Sequence, residues 1–190
     1  MTVTVIPFNM PEPMEIPSHV VEMLSEMDSD EAVCKGMELL MGIEAADTIV
    51  YDRITDDGLL ELHAVVAGDG RAASLEHTLR QESFYGKPLS SAGNSLTGVA
   101  FEKESSLLIM GEISGGDDDE PLPVYLRQGI LNGNDRGNVG FVYVLTLTGS
   151  ENEPAGSLTL IRTQENGPLN HEQPNITEGL RQLLCQLLQK

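Results

Sequence analysis

Residues 142–162, VYVLTLTGSENEPAGSLTLIR, contain the strongest strand signal in the chain. Apolar and β-branched residues fill positions 139–148 and 156–163, a composition that is typical of strands. The residues between them, 149–155, include glycine, serine, asparagine and proline, which favour turns. The stretch therefore predicts two antiparallel strands joined by a short loop.

A second pair of strands is predicted nearer the N-terminus. DTIVYDRI (47–54) and LLELHAVV (59–66) are separated by Thr55-Asp-Asp-Gly58, which is a hairpin turn signal. SLLIMGEI (106–113) predicts a further strand. The acidic residues 115–123 that follow it contain glycine and proline and predict a solvated loop.

Helical patterns flank these strands. Residues 18–27 and 28–42 carry apolar side chains at helical spacing, and Asp28 with Glu31 has the spacing of a capping box. Residues 74–81 and 96–104 predict shorter helices, the first with the weaker pattern. The elements follow one another as helix, two strands, helical connection, strand, loop, two strands and helix. This order predicts an α+β fold with an antiparallel sheet.

The leader and the last helix bound the domain. Prolines at several positions within residues 1–16 preclude a helix there, so we predict an extended leader followed by one domain over 17–190. The C-terminal helix carries a wide leucine stripe. Because one sheet face covers only part of the terminal helices, we expect the remaining apolar surface to form a homodimer interface. The expected interface residues are Val20, Leu24, Met27, Leu180, Leu184, Leu187 and Leu188.

Composition limits the function classes. The chain has 190 residues, 40% of them hydrophobic, which suits one globular domain. Its formal net charge of −19 repels nucleic acid and anionic membranes. No long apolar run predicts a membrane span, and the first residues do not form a secretory signal. Cys34 and Cys185 lie far apart in apolar helical patterns, which favours core packing in a reducing cytoplasm.

The glycines of Gly93-Asn-Ser-Leu-Thr-Gly98 do not form a nucleotide-binding loop. Such a loop needs Lys and then Ser or Thr directly after its second glycine, and Val99 and Ala100 occupy those positions here. Ser95 or Asn94 instead suits the N-cap of the helix that follows.

The element order together with these glycines resembles the GAF domain, a small-ligand sensor module of signalling proteins. The resemblance covers roughly residues 20–188 and rests on the hairpin at 45–68, on SLTGVAFEKESSLLI (95–109) and on the hairpin at 142–162, where Gly156 begins a G-x-L-x-L strand. It implies a sheet of about five to six strands. It also implies that the terminal helices cover one face, and that a pocket loop and helix cover the other.

The resemblance places the ligand pocket between the sheet and the loop that precedes the helix at 96–104. The polar side chains of this loop are candidates because the free amides of a helix start attract small polar ligands. Tyrosines expected to line the same cavity, and two histidines, complete the set. The candidate ligand-binding residues are Ser91, Asn94, Ser95, Thr97, Tyr85, Tyr143, His63 and His77.

Residue types exclude several specialised branches of the resembled family. The Asn-Lys-Phe-Asp-Glu signature of cyclic-nucleotide binders does not occur in order, and no cysteine lies between Cys34 and Cys185 for a bilin thioether or a reductase centre. The calcium-loop pattern also fails at residues 132–143, so no metal site is predicted. The cofactor remains unknown.

Three hypotheses follow for the function. The first is a cytoplasmic GAF sensor that binds a small molecule and signals through its terminal helices to a partner or a downstream effector domain. The second is a GAF-like dimerisation module with a degenerate pocket. The third is an enzyme, which ranks last because no nucleophile, base and orienting group are evident together.

Overall fold

The computed structural model describes residues 4–9, 11–68, 70–93, 95–113 and 139–189. These residues form six strands and five α-helices, and every strand pair is antiparallel. The strands are β1 (Thr4–Pro7), β2 (Thr48–Ile54), β3 (Leu60–Ala67), β4 (Leu107–Ile113), β5 (Val139–Thr148) and β6 (Pro154–Thr163). The helices are α1 (Ser18–Ser25), α2 (Ser29–Gly42), α3 (Ala72–Leu79), α4 (Leu96–Glu102) and α5 (Gln173–Leu187). The α+β fold with an antiparallel sheet is confirmed.

The six strands form one sheet in the order β1-β4-β5-β6-β2-β3. The hairpins predicted from the sequence are present as β2–β3 and β5–β6, and they lie side by side because β2 also pairs with β6. The loop predicted at residues 115–123 lies outside the described residues.

Side chains of the sheet alternate between two hydrophobic cores. Ile49 of β2 and Leu145 of β5 contribute to the core under α1, α2 and α5, whereas Val50 and Val144 contribute to the core under α3 and α4. This alternation follows from the two-residue period of a strand. Both faces of the sheet are therefore covered, with the terminal helices on one face.

Part of the extended N-terminal leader pairs with the sheet. Its residues 4–7 pair with β4 as the edge strand, and the ring of Phe8 contacts Tyr143 edge to face at 4.9 Å. Further along, the backbone N–H of Met14 donates to the carbonyl of Asn175 on α5 at 2.9 Å. The prolines prevent a helix but do not prevent these extended contacts.

The caps predicted for two helices are present. The side chain of Asp28 accepts a hydrogen bond from the backbone N–H of Glu31 at 3.0 Å, so it begins α2 as expected. Ser95 begins α4 in the same way, by accepting from the backbone N–H of Gly98 at 2.9 Å. Of the described helices, none is both long and apolar enough to cross a bilayer.

The leucine stripe of α5 packs inside the single chain. Leu24, Leu180, Leu184 and Leu187 are buried, and a Cβ on Gly36 of α2 would lie 3.0 Å from Leu184 Cδ1. These leucines are therefore covered within the single chain, and their assignment to a dimer interface stays a prediction. The sheet and α2 cover more of α5 than the sequence alone suggests. Among the expected interface residues, Val20, Met27 and Leu188 stay partly exposed.

We expect Leu184→Ala to lower the free energy of unfolding by about 2–5 kcal/mol, because it leaves a cavity between α2 and α5. The control Leu188→Ala removes a partly exposed leucine of the same helical end and is expected to cost about 1 kcal/mol or less. Urea unfolding followed by circular dichroism measures both values. Equal losses in the two variants would contradict the burial described for Leu184.

Candidate functional site

A carboxyl group is buried beneath α4. Asp52 lies on β2 between Leu62 of β3 and Ser157 of β6, next to a β-bulge at Tyr51 and Asp52. Its side chain is only 1% exposed. Burial of an unpaired carboxylate is costly, so the groups around Asp52 decide what this site can do.

Hydroxyl groups surround the Asp52 carboxyl. Tyr85 Oη donates a hydrogen bond to Asp52 Oδ1 at 2.7 Å, and Thr97 Oγ1 donates one to Asp52 Oδ2 at 3.0 Å. Thr97 Oγ1 also lies 2.7 Å from Ser157 Oγ, where either oxygen can donate. We call these four residues the Asp52 network. It joins β2 and β6 of the sheet to α4 and to the loop before it.

Burial controls the acidity of Asp52. It raises the pKa of the Asp52 carboxyl from 3.8 to about 6, while the hydrogen bonds from Tyr85 and Thr97 act in the opposite direction. In the described part of the chain, no cationic side chain forms an ion pair with Asp52. The folded chain therefore binds this proton more tightly than the unfolded chain does. The resulting stability is fully present below about pH 4 and is lost as the pH rises through about 6.

The start of α4 fixes the position of Thr97. Ser95 Oγ donates to the carbonyl of Ala92 at 2.6 Å while it caps the helix at Gly98. A Cβ on Gly98 would collide with the carbonyl oxygen of Ala92, so only glycine allows this close turn. Ser95 is thus fully used by the backbone, and the next polar residue, Thr97, points its hydroxyl at Asp52.

Apolar side chains enclose the network. Leu62, Phe84 and Leu96 are buried in the same core, and the rings of Phe84 and Tyr85 pack edge to face at 4.7 Å. One further polar group lies on this face, because Thr159 follows Ser157 by two residues on β6. Its buried hydroxyl has no hydrogen-bond partner among the described residues. The same face of the sheet therefore holds a buried carboxyl and a buried hydroxyl with unused hydrogen-bonding capacity.

A contrasting charged cluster lies on the other side of β2. Arg53 contacts Asp30 at 2.5 Å and Glu61 at 3.1 Å, and Tyr51 Oη donates to Asp30 at 2.9 Å. Each of these charges has an opposite charge beside it, and the ion-paired side chains are about one-third exposed or more. The cluster is a structural link between α2 and β2, and it needs no further ligand.

The structure brings only some of the predicted ligand residues together. Tyr85, Ser95 and Thr97 meet at α4, while Ser91 is exposed on the 3-10 turn Leu89–Ser91. Asn94 lies outside the described residues.

The remaining candidates lie elsewhere. Tyr143 faces the terminal helices, where its hydroxyl accepts from the backbone N–H of Leu169 at 3.0 Å, so it does not line a cavity with Tyr85. His63 packs against the Tyr51 ring at 5.2 Å between centroids, and His77 is exposed beside Gln81. The tyrosines separate because Tyr143 shares its side of β5 with Leu145 and Leu147, which face the core under the terminal helices.

Asp52 and Ser157 are site residues that the sequence analysis did not identify. The signal for Asp52 was a charged residue two positions after Val50, and therefore on the same face of an otherwise apolar strand. Among the described residues, no group of three or more His, Cys, Asp or Glu side chains is placed to hold a metal ion.

Comparison with known proteins identifies the fold. No protein-family model matches the sequence, and no curated protein matches it. Among solved structures, the chain is similar to the GAF domain/HD domain protein from Geobacter sulfurreducens, with a TM-score of 0.55 and 17% identity. The match covers 84% of this chain and 91% of the other chain. The GAF-like fold predicted from the hairpins is therefore confirmed.

We expect Gly156→Ala to reduce the free energy of unfolding by more than about 1 kcal/mol. A Cβ at this position would collide with the backbone oxygen of Asp52 and lie 3.0 Å from Arg53 Cα, so β2 and β6 would have to separate. Gly42→Ala is the control, because a Cβ there meets no atom within 4 Å. It is expected to be neutral or stabilising. Urea unfolding measures both changes, and a Gly156→Ala variant as stable as the control would refute the close contact.

Proposed function

We propose that this chain is a GAF-type regulatory domain that binds a small molecule beneath α4, with Asp52 as the residue that selects the ligand. The observation that carries the proposal is the buried Asp52 carboxyl, which has hydroxyl partners but no cation within the described ranges. Buried groups with shifted pKa values are concentrated at functional sites, which supports this assignment.

The chemistry of the site favours a ligand that donates hydrogen bonds. Each oxygen of Asp52 receives one hydrogen bond from the protein and keeps capacity for another. The nearby Thr159 hydroxyl is unpaired among the described residues. A neutral or cationic molecule with N–H groups would satisfy both, whereas a phosphate or carboxylate would face a buried acid in a chain of net charge −19.

Signal output through the terminal helices is part of the proposal. The solved structure similar to this chain is described as a GAF domain/HD domain protein, which supports a role beside a partner or effector domain. The site and the terminal helices lie on opposite faces of one sheet. We propose that Val20, Met27 and Leu188, which stay partly exposed, contribute to a homodimer or to a partner contact in the cytoplasm.

A regulatory role is favoured over thiol chemistry. Burial raises the pKa of the Cys34 thiol, and the carboxylates of Asp30 and Glu38 raise it further. A thiol in this environment is protonated at neutral pH and is a weak nucleophile. We therefore propose that the chain is not an enzyme of the thiol type.

A second candidate is a dimerisation module without a ligand. The observation that favours it is that the Asp52 network satisfies Thr97, Ser157 and Tyr85 internally, with Leu96 and Phe84 packed around it. Under this candidate, the polar groups serve only to fix α4 on the sheet.

Native mass spectrometry of the gently purified protein tests the two candidates. We expect wild type to retain a small molecule that the Asp52→Asn variant does not retain, because the amide removes the negative charge that selects the ligand. Asp56→Asn is the matched control, since it makes the same substitution at an exposed turn position of the β2–β3 hairpin and is expected to retain the molecule. Circular dichroism confirms folding of each variant.

The outcomes separate the candidates. A wild-type spectrum with no retained mass, and no thermal shift with neutral or cationic N–H donors, would contradict ligand binding and favour the dimerisation module. Equal retention by Asp52→Asn would show that Asp52 does not select the ligand.

A further inference from the structure

We propose that protonation of Asp52 sets how firmly α4 and the Tyr85 loop are held on the sheet, so that the chain responds to acid independently of any ligand. We define the cover as residues 72–93 and 95–102. It includes α3, α4 and the segment between them that contains Tyr85, which we call the Tyr85 loop. This inference goes beyond small-molecule binding, because the species that acts is the proton.

The Asp52 carboxyl is a joint between the sheet and the cover. Asp52 belongs to β2, whereas its hydrogen-bond partners Tyr85 and Thr97 belong to the cover. Ser157 of β6 then ties Thr97 back to the sheet. A change at this single group therefore alters the contact between the two layers.

The hydroxyl chain can accommodate both charge states. When Asp52 is ionised, Ser157 donates to Thr97, and Thr97 donates to the carboxylate. When Asp52 is protonated, its O–H donates to Thr97 Oγ1, and the Thr97 hydroxyl turns to donate to Ser157 Oγ. Tyr85 donates to Oδ1 in both states. The pairing observed at 2.7 and 3.0 Å is thus preserved, while the buried negative charge is removed.

Within the described residues, the groups that face Asp52 from the sheet and from α4 are neutral. They are Leu62 of β3, Ser157 of β6 and Thr97 of α4, whereas Arg53 on the same strand belongs to the cluster on the opposite face. None of these neutral groups can compensate for the charge of a carboxylate. The buried contact between Asp52 and the cover therefore becomes neutral when the Asp52 carboxyl binds a proton.

The charged groups of the cover are engaged elsewhere or exposed. Arg80 is paired with Glu76 at 2.6 Å and also donates to the carbonyl of Leu62 at 3.1 Å. Glu82 is partly buried, and burial raises its pKa. Apart from Tyr85, which donates to Asp52, the other charged or titratable side chains of the cover are exposed, namely His77, Lys87 and Glu102.

The direction of the response follows from the two states of the cover. With the cover closed, the pKa of Asp52 is about 6, whereas an open cover hydrates the carboxyl and returns the pKa toward 3.8. Protons therefore favour the closed cover as the pH falls through about 6. At higher pH the ionised carboxylate favours opening.

Amide hydrogen exchange of α4, corrected for the intrinsic effect of pH, measures this opening. The reporters are the helical N–H groups of Val99 and Lys103, which donate to Ser95 and Val99 at 3.0 Å. In wild type we expect about tenfold greater protection at pH 5 than at pH 8, because pH 5 lies about one unit below the pKa of the closed state. Amides of β5 report whether the whole chain changes stability instead.

Three variants complete the test. Asp52→Asn is expected to abolish the tenfold difference, and the exposed Asp56→Asn is expected to keep it. Ser157→Ala is expected to shrink the difference, because the protonated carboxyl then leaves the Thr97 hydroxyl without an acceptor.

The results decide the proposal even if Asp52→Asn fails to fold. Equal protection of α4 in wild type at the two pH values overturns it. A tenfold difference that persists in Asp52→Asn, or that is unchanged in Ser157→Ala, also overturns it, because the response then arises from the overall charge of the chain. Reduction in Ser157→Ala with retention in Asp56→Asn supports it, together with loss in Asp52→Asn where that variant folds. Failure of ligand retention leaves these outcomes unaffected.

Discussion

A carboxyl group on a strand that is covered on both faces is the constraint on which the site depends. Because the terminal helices cover one face of the sheet and α3 with α4 cover the other, no residue of β2 faces open solvent through the middle of the strand. Asp52 must therefore be buried, and among the described residues the hydroxyls of Tyr85 and Thr97 offset the loss of water. Its position makes the contact between α4 and the sheet sensitive to charge.

Adjacent residues of β2 connect the two layers. Asp52 contacts Thr97 of α4, while the neighbouring Tyr51 donates to Asp30 of α2 on the opposite face. The β-bulge falls between these two residues, and the close approach of Gly156 holds β6 against the same point. A displacement of β2 would therefore be transmitted to both layers. This arrangement gives the proposed regulation a physical connection between the site and the terminal helices.

Local patterns were sufficient for the elements but not for the site. The β-branched hairpins and the caps at Asp28 and Ser95 follow from interactions between near neighbours in sequence, so they were predictable. The edge strand at residues 4–7 was missed because its pairing partner lies about a hundred residues away. Which strand face a residue occupies also depends on long-range pairing. For that reason the sequence groups Tyr143 with Tyr85 and does not reveal Asp52 as the polar neighbour of Tyr85. The spacing of the leucines in α5 predicts an apolar helix face. It does not indicate whether that face packs against the same chain or against a second copy.

The carbon-13 chemical shift of the Asp52 carboxyl, followed by NMR during a pH titration of the folded protein, tests the central claim most directly. The described environment predicts a titration midpoint of about 6, and this midpoint should fall in Ser157→Ala, whose protonated state is less well satisfied. A midpoint at or below the ordinary value of 3.8 would show that the carboxylate is stabilised by water or by a cation. That result would contradict both the buried joint and the response to acid built on it.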